Sequence, residues 1–372
     1  MKVALDVSAV PPKIAGAGRY IAEVAARLPD AGIETTLVTR RGDASRWRER
    51  TPGATIAPLV PNARAPRLIY EALRLGSSSV ARGVEVWHAP HYTMPHRAKA
   101  PVVVTIHDLT LFTHPEWHER TKVTFFQRAM RYAVRHAAAL LCVSEFTARE
   151  LRDVLAPRVP VLVAPLGVDH QRFHADASAD ASLLAEATFD VRAPYLLFVG
   201  TLEPRKGLDV LLAAFGELAT SDPHLELWIA GQTGWHMDAL REQLRRHPYA
   251  ARIRQLGFVD DAVLPALFRH ARVVVYPSRG EGFGLPVLEA MACGATVVTS
   301  RDTVMAEVAG DGAVLTHAGD ADELAGAVAK LLNEPDADRA VRGARAVRGA
   351  ALYSWERTMS AHLEAYQVAR RL

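Results

Sequence analysis

Two carboxylates in a Glu-x7-Glu spacing, Glu281 and Glu289, bracket a glycine-rich turn in the stretch VVVYPSRGEGFGLPVLEAMACGATVVTS. An apolar run ends at Pro277, and Gly280, Gly282 and Gly284 let the backbone turn tightly around Glu281 and Phe283. Pro286 then stands where the first turn of a helix tolerates it. The amides of Gly284 and Leu285 therefore point out of a helix N-terminus, where free N–H groups and the macrodipole attract phosphate. Ionised carboxylates only accept hydrogen bonds, so the pair suits vicinal hydroxyls such as those of a ribose or a pyranose.

A second signal is LLFVGTLEPRKGLDVLLAAF, in which a buried strand runs into Gly200 and then Glu203, Pro204, Arg205, Lys206 and Gly207 before a helix. Arg offers a planar fork of donors and Lys a compact point charge, a combination able to neutralise a diphosphate as its ester bond breaks. The alternative for Arg205 and Lys206 is a basic loop paired with Glu203. A third signal is IAGAGRYIAEVAARL, where Gly16 and Gly18 open a helix. It lacks the third glycine of a dinucleotide fingerprint, and a tight turn with no ligand is its bland reading. The fourth is VVVTIHDLTLF, where His107 and Asp108 end an apolar strand and His107 is placed to donate a hydrogen bond to a sugar hydroxyl or to stabilise charge at a reacting carbon, an ordinary strand-end histidine being its bland reading.

The elements that must position these residues follow from the periodicity. Short apolar runs alternate with amphipathic stretches: KVALDV, TTLVTR, EVWHA, PVVVTIHD, ALLCVS and VPVLVAPLG in the first half, with the helix GRYIAEVAARL between the first two. The second half repeats the rhythm with YLLFVG, LELWIAG, RIRQLGF, VVVYPS, ATVVTS and AVLTH, separated by the helices LDVLLAAFGELA, MDALREQLRR, VLPALFRHA and PVLEAMAC. Strand-helix-strand alternation predicts an α/β chain of two Rossmann-like domains, each with a parallel sheet, facing across a cleft. Residues 169–194 have weak periodicity and read as the linker. The domains are expected at 1–175 and 176–353. Trp355, Met359, Leu363 and Tyr366 give residues 354–372 an apolar helical face that docks on one of them.

A chain of 372 residues, 49% apolar and 23% charged, fits two globular cores. No apolar run is long enough for a membrane span, and MKVALDVSAVPP reads as a strand and a turn, so a cytoplasmic location is expected. Cys142 and Cys293 lie in apolar stretches and read as buried reduced thiols. The net charge of +3 is unevenly spread, since residues 1–180 hold 24 Lys/Arg against 17 Asp/Glu. That excess suits an acidic acceptor or peripheral contact with an anionic membrane, and equally a solvated surface; no basic run points to nucleic acid. His88, His91 and His96 sit close in WHAPHYTMPH without a completing ligand set. Asp320-Ala-Asp322 and Asp336-Ala-Asp338 read as structural, the first as a helix cap, and Ser144 likewise. No metal site is expected.

The Glu-x7-Glu turn, the basic turn and the order of elements together resemble the retaining glycosyltransferases of family 4, which have the GT-B architecture, over essentially the whole chain. The resemblance implies transfer of a hexose from a nucleoside-diphosphate sugar to a hydroxyl of a glycan, lipid-linked or small-molecule acceptor, with retention and without a divalent metal or other cofactor. It implies catalytic roles for His107, Glu281, Arg205 and Lys206. Donor contacts would come from Gly16, Gly18, Gly200, Phe258, Gly282, Phe283, Gly284, Leu285 and Glu289, the last on the nucleotide ribose. Thr201 stands where the family often has a further Arg. GTLEPRKG with DLTLFTHPEWH looks most like mannosyltransferase-type members. A nucleotide-sugar epimerase of the same build is the main alternative. A phosphorylase-like enzyme with a pyridoxal cofactor and a two-lobed binding protein are more distant ones.

Overall fold

A computed structural model describes residues 1–14, 16–232, 234 and 238–371. Ala15 of the glycine loop, Met237 at the head of an expected helix, and Leu372 lie outside the described residues. The chain forms two compact units, Met1–Gly167 with Trp355–Leu372, and Val168–Ser354. Among the described residues no helix is long and apolar enough to cross a membrane.

The first unit holds β1 (Lys2–Asp6), β2 (Glu34–Arg40), β3 (Thr55–Val60), β4 (Val86–Ala89), β5 (Val102–Ile106), β6 (Ala139–Cys142) and β7 (Val161–Val163). They form one parallel sheet in the order β3-β2-β1-β4-β5-β6-β7. Every residue of β4, β5 and β6 is buried, as expected where helices cover both faces. Strand β3, TIAPLV, is absent from the apolar rhythm of the sequence because it is an edge strand that carries Pro58 and is only partly buried.

The second unit holds β8 (Tyr195–Val199), β9 (Glu226–Ala230), β10 (Ile253–Gly257), β11 (Val273–Tyr276), β12 (Val297–Ser300) and β13 (Val314–Thr316). These are the six expected strands, paired in parallel in the order β10-β9-β8-β11-β12-β13. In both sheets the chain starts near the middle and the order reverses beside the first strand, the arrangement that places ligands beyond the carboxyl ends of the strands.

The second unit begins at Val168, upstream of the expected boundary at 175/176. The reason is polar as well as apolar. Arg269 forms a buried bidentate ion pair with Asp180 of the helix Asp180–Glu186 and donates to the His174 carbonyl at 2.7 Å. Phe173 packs near Phe268. The stretch read as a linker is thus fastened to the second unit by contacts that leave no periodic trace.

The helix Trp355–Arg370 packs on β4, β5, β6 and β7 of the first unit. Its buried stripe is Trp355, Thr358, Met359, His362, Ala365, Tyr366 and Ala369, whereas Leu363 is only half-buried. The stripe is displaced because its centre is polar. His362 Nδ1 lies 2.7 Å from the Thr358 carbonyl and must carry the proton, so its Nε2 accepts from the Tyr20 hydroxyl at 2.7 Å. Tyr20 in turn accepts from Thr105 at 2.9 Å, and Thr105 accepts from His88 Nε2 at 2.8 Å. That leaves His88 Nδ1 to accept from Tyr366 at 2.8 Å. Five buried side chains from four elements thereby share one consistent proton order, with both rings neutral. Burial pushes His362 down to about 4 and His88 well below its ordinary value.

Candidate functional site

In the second unit the basic turn after β8 and the glycine loop after β11 are built against each other. Gly207 has φ +69°, and a Cβ there would lie 2.0 Å from the Pro277 carbonyl oxygen, so only glycine lets the two turns approach. The Arg279 amide donates to the Arg205 carbonyl at 2.7 Å, and Arg279 pairs with Asp209. Gly284, at φ +107°, caps the helix Leu285–Ala292, and Pro286 sits in its first turn as the sequence suggests.

Within this frame Arg205, Lys206 and Glu281 converge. Glu281 Oε2 accepts from Arg205 at 2.7 Å, while Oε1 accepts from Lys206 and from the Tyr276 hydroxyl at 2.9 Å, with the Ser278 hydroxyl at 3.1 Å. Lys206 also donates to Tyr276 at 2.7 Å, and Arg205 donates to Glu203 at 2.9 Å and to the Gly280 carbonyl at 2.8 Å. Arg205 therefore pairs with Glu203, as the alternative reading of the basic turn has it, and also reaches the second loop. Burial pushes the Glu281 carboxyl up, but the charges and hydrogen bonds of Arg205 and Lys206 outweigh it and hold the group at about 2. Burial, followed by the neighbouring Arg205, pulls the Lys206 ammonium below its ordinary value, while Glu281 acts in the opposite direction.

Glu281 therefore serves as the counter-charge of the two cations. Glu289 is buried on the following helix. Gly200 follows β8 and approaches Gly231, and Phe283 is buried with its ring edge-on to Tyr353. Phe258, expected among the donor contacts, is 54% exposed. Tyr276 and Ser278 were missed. The available signal was a hydroxyl-bearing side chain inside the otherwise aliphatic run VVVY, because a buried Tyr requires a polar partner.

In the first unit Gly16 precedes the helix Ala17–Asp30, and Gly18 lies in its first turn. His107 follows β5 and is buried, with Nε2 2.8 Å from the Pro90 carbonyl. That nitrogen must be the donor, so the neutral ring offers only Nδ1, an acceptor. Burial lowers its proton affinity, which disfavours a doubly protonated ring. His107 is thus suited to accept from a hydroxyl, where the sequence suggested donation. Tyr20, His91 and Tyr92 surround its ring.

A group unseen in the sequence follows β1. Ser8 donates to Glu71 at 2.7 Å, Arg67 donates to the same oxygen at 2.6 Å, and the Ser8 amide donates to Asp6 at 2.9 Å. Burial, then the nearby Asp6, pushes Glu71 up to about 7. No local pattern links Ser8 to a residue 63 positions away.

His88 is committed to the buried proton chain described above, and among the described residues no group of three or more His, Cys, Asp or Glu side chains is arranged to hold a metal ion. Asp320 caps the helix Ala321–Leu332 and Ser144 the helix Glu145–Leu155, as read. Cys142 and Cys293 are buried free thiols, each pushed by burial to about 12.

Comparison with known proteins identifies the family. Residues 14–172 match the family described as Glycosyltransferase Family 4, and residues 183–347 match Glycosyl transferases group 1. The chain is 32% identical over 286 residues to the O-antigen chain mannosyltransferase B of Escherichia coli, covering 76% of this chain and 74% of that protein. Its fold is similar to that of sucrose-phosphate synthase from Thermosynechococcus elongatus, with a TM-score of 0.81 at 20% identity over 98% of both chains. It is also similar to Anabaena Alr3699/HepE in complex with UDP-glucose, with a TM-score of 0.77 at 19% identity over the full length of both. By its family matches, its identity to a mannosyltransferase and its pair of parallel sheets, the chain belongs to the group 1, family 4 glycosyltransferases of GT-B fold.

Proposed function

We propose that the protein transfers a hexose, mannose-like, from a nucleoside-diphosphate sugar to a hydroxyl of a glycan, lipid-linked or small-molecule acceptor, with retention of configuration and without a divalent metal. The observation that carries this reading is the convergence of Arg205 and Lys206 on one buried carboxylate beside the start of the helix Leu285–Ala292. A leaving diphosphate needs positive charge where negative charge develops, and a preorganised fork and ammonium supply it without reorganisation. Amides at the helix start add to that field. The mannosyltransferase relative supports the choice of sugar, and the HepE complex, solved with UDP-glucose, supports the choice of donor.

The state of Glu281 favours same-face attack over a covalent glycosyl intermediate. A carboxylate held at about 2, whose oxygens receive hydrogen bonds from Arg205, Lys206 and Tyr276, is a weak base and a poor nucleophile. In this reading a departing phosphate oxygen takes the acceptor's proton, and Glu281 keeps the two cations aligned as a positioning residue. The second unit holds the donor, and the first unit holds the acceptor with His107 accepting from a hydroxyl.

The test is to screen nucleotide sugars for ligand-induced thermal stabilisation, then to measure transfer by the parent and by Lys206→Ala with and without a chelator. Transfer by the parent is expected to withstand chelation, and Lys206→Ala to lose about a hundredfold or more in turnover while still binding the nucleotide. Unchanged turnover in the variant would remove the assignment of Lys206. Conversion of the sugar nucleotide with no acceptor present would replace transfer by epimerisation.

A further inference from the structure

His107 is held from several sides. Its carbonyl accepts from the Thr147 hydroxyl at 3.3 Å, and its Nε2 is fixed on the Pro90 carbonyl, which leaves Nδ1 as the acceptor of the ring. Tyr20 walls that ring, lying edge-on to it with centroids 5.1 Å apart and planes at 82°. Tyr20 itself stands in the first turn of the helix Ala17–Asp30, where its amide donates to the Gly16 carbonyl at 3.4 Å. One side chain therefore joins the glycine loop to the histidine that follows β5.

What holds Tyr20 is equally directional. Its hydroxyl accepts from Thr105 at 2.9 Å and donates to His362 at 2.7 Å, and burial keeps it protonated. Thr105 precedes His107 by two residues and shares its face of β5 by strand alternation. His362 comes from the helix Trp355–Arg370, 342 positions away. Tyr20, Thr105 and His362 are all fully buried. Aliphatic side chains would fill the same space without desolvating three polar groups, whereas hydrogen bonds fix the place of a ring by direction as well as by contact. The far end of the chain differs, because the Tyr366 ring lies against His88 and His362 and, among the described residues, makes no ring contact with His107.

We propose that Tyr20 is a positioning residue for transfer: clamped between Thr105 of β5 and His362 of the last helix, it sets the ring of His107 so that Nδ1 meets the acceptor hydroxyl. The inference rests on the reading that His107 accepts from that hydroxyl. It gives the helix Trp355–Arg370 a part in the reaction beyond covering the sheet, since His362 is the group that receives the Tyr20 hydrogen bond. A misplacement of about 1 Å at a reacting group can cost on the order of a hundredfold in rate, so release of one hydroxyl is readable in turnover.

The test uses the full chain and Tyr20→Phe, which keeps the aromatic edge and removes only the hydroxyl. The ring C–H resonances of His107 are followed by NMR, assigned through His107→Ala, and because the neighbouring ring is retained a changed signal reports a moved imidazole. Transfer to p-nitrophenyl α-mannoside is measured with whichever of GDP-mannose and UDP-glucose stabilises the parent. The expected result is a shifted or broadened His107 signal, turnover lower by about fivefold or more, and a donor KM within about twofold of the parent. Tyr366→Phe removes a hydroxyl from the same chain and is expected to lose thermal stability while keeping the His107 signal and turnover. His362→Leu should repeat the effect of Tyr20→Phe, and His362→Gln, whose amide oxygen can accept from Tyr20, should recover part of the turnover; this pair decides the matter if Tyr20→Phe does not fold. An unmoved His107 signal in Tyr20→Phe, equal losses of turnover in Tyr20→Phe and Tyr366→Phe, or parent turnover in Tyr20→Phe where His107→Ala is impaired overturns the proposal. Parent turnover in His107→Ala instead rejects the acceptor reading of His107, and the His107 signal then decides by itself whether Tyr20 sets the ring.

Discussion

Replacing Glu281 by Gln asks whether the carboxylate is the internal counter-charge of the basic turn. The side chain keeps its shape and loses its charge, which leaves Arg205 and Lys206 under-compensated in a site where Lys206 and Glu281 are about 10% and 9% exposed. Glu281 is held at about 2 against an ordinary 4.5. At about 1.4 kcal/mol per unit this is a coupling of roughly 3 kcal/mol, within the range for breaking a buried ion pair. The folded value lies below the unfolded one, so the contribution is complete above pH 4.5 and is lost as the pH falls toward 2. Glu281→Gln is therefore expected to destabilise the second unit by roughly 3 kcal/mol at neutral pH, with the gap to the parent about 1 kcal/mol smaller at pH 4. Urea titration followed by hydrogen exchange of β8 and β11 peptides reports that unit alone. A variant within about 0.5 kcal/mol of the parent at neutral pH, or a gap that widens on acidification, would refute the argument.

Gly207→Ala sets a Cβ against the Pro277 carbonyl at a positive φ, so it is expected to cost more than about 1 kcal/mol and to weaken nucleotide-sugar binding, both read from thermal shift with and without ligand. Tyr366→Phe leaves His88 Nδ1 buried without its donor and is expected to cost about 1–3 kcal/mol by thermal denaturation, without changing nucleotide binding. Acid should loosen the docked helix. His362 has a folded value of about 4 below an ordinary 6.5, so the unfolded chain binds more protons between these values and stability falls as pH drops through that window. Exchange protection in the helix Trp355–Arg370 that stays constant from pH 6.5 to 4 would contradict the neutral-ring assignment.

Strands β8, β11 and β12 of the second unit were legible because each is a short apolar run bounded by turn residues and buried along nearly its whole length. The glycine loop was legible for a related reason. A tight turn, a helix start and a phosphate-binding end each demand particular residue types at adjacent positions, so GEGFGLP declares its conformation locally. The edge strand β3 was illegible because Pro58 and partial burial interrupt its apolar run, whereas the helix Asp180–Glu186 and the polar stripe of the last helix are fixed through distant partners, by an ion pair to Arg269 and a five-member proton chain.

The same division runs through the site. Residue types alone determined that Arg205 and Lys206 form a basic turn and that Glu281 stands among glycines, which is enough to suggest phosphate chemistry. Only the tertiary structure decided what those charges do before a ligand arrives. A chain cannot state in local sequence that a carboxylate 75 residues away will satisfy its lysine, because that pairing exists only once β8 and β11 lie side by side and Gly207 lets their loops meet. Position in sequence supplied the chemical groups, and proximity through the sheet made one of them the counter-charge of the other two.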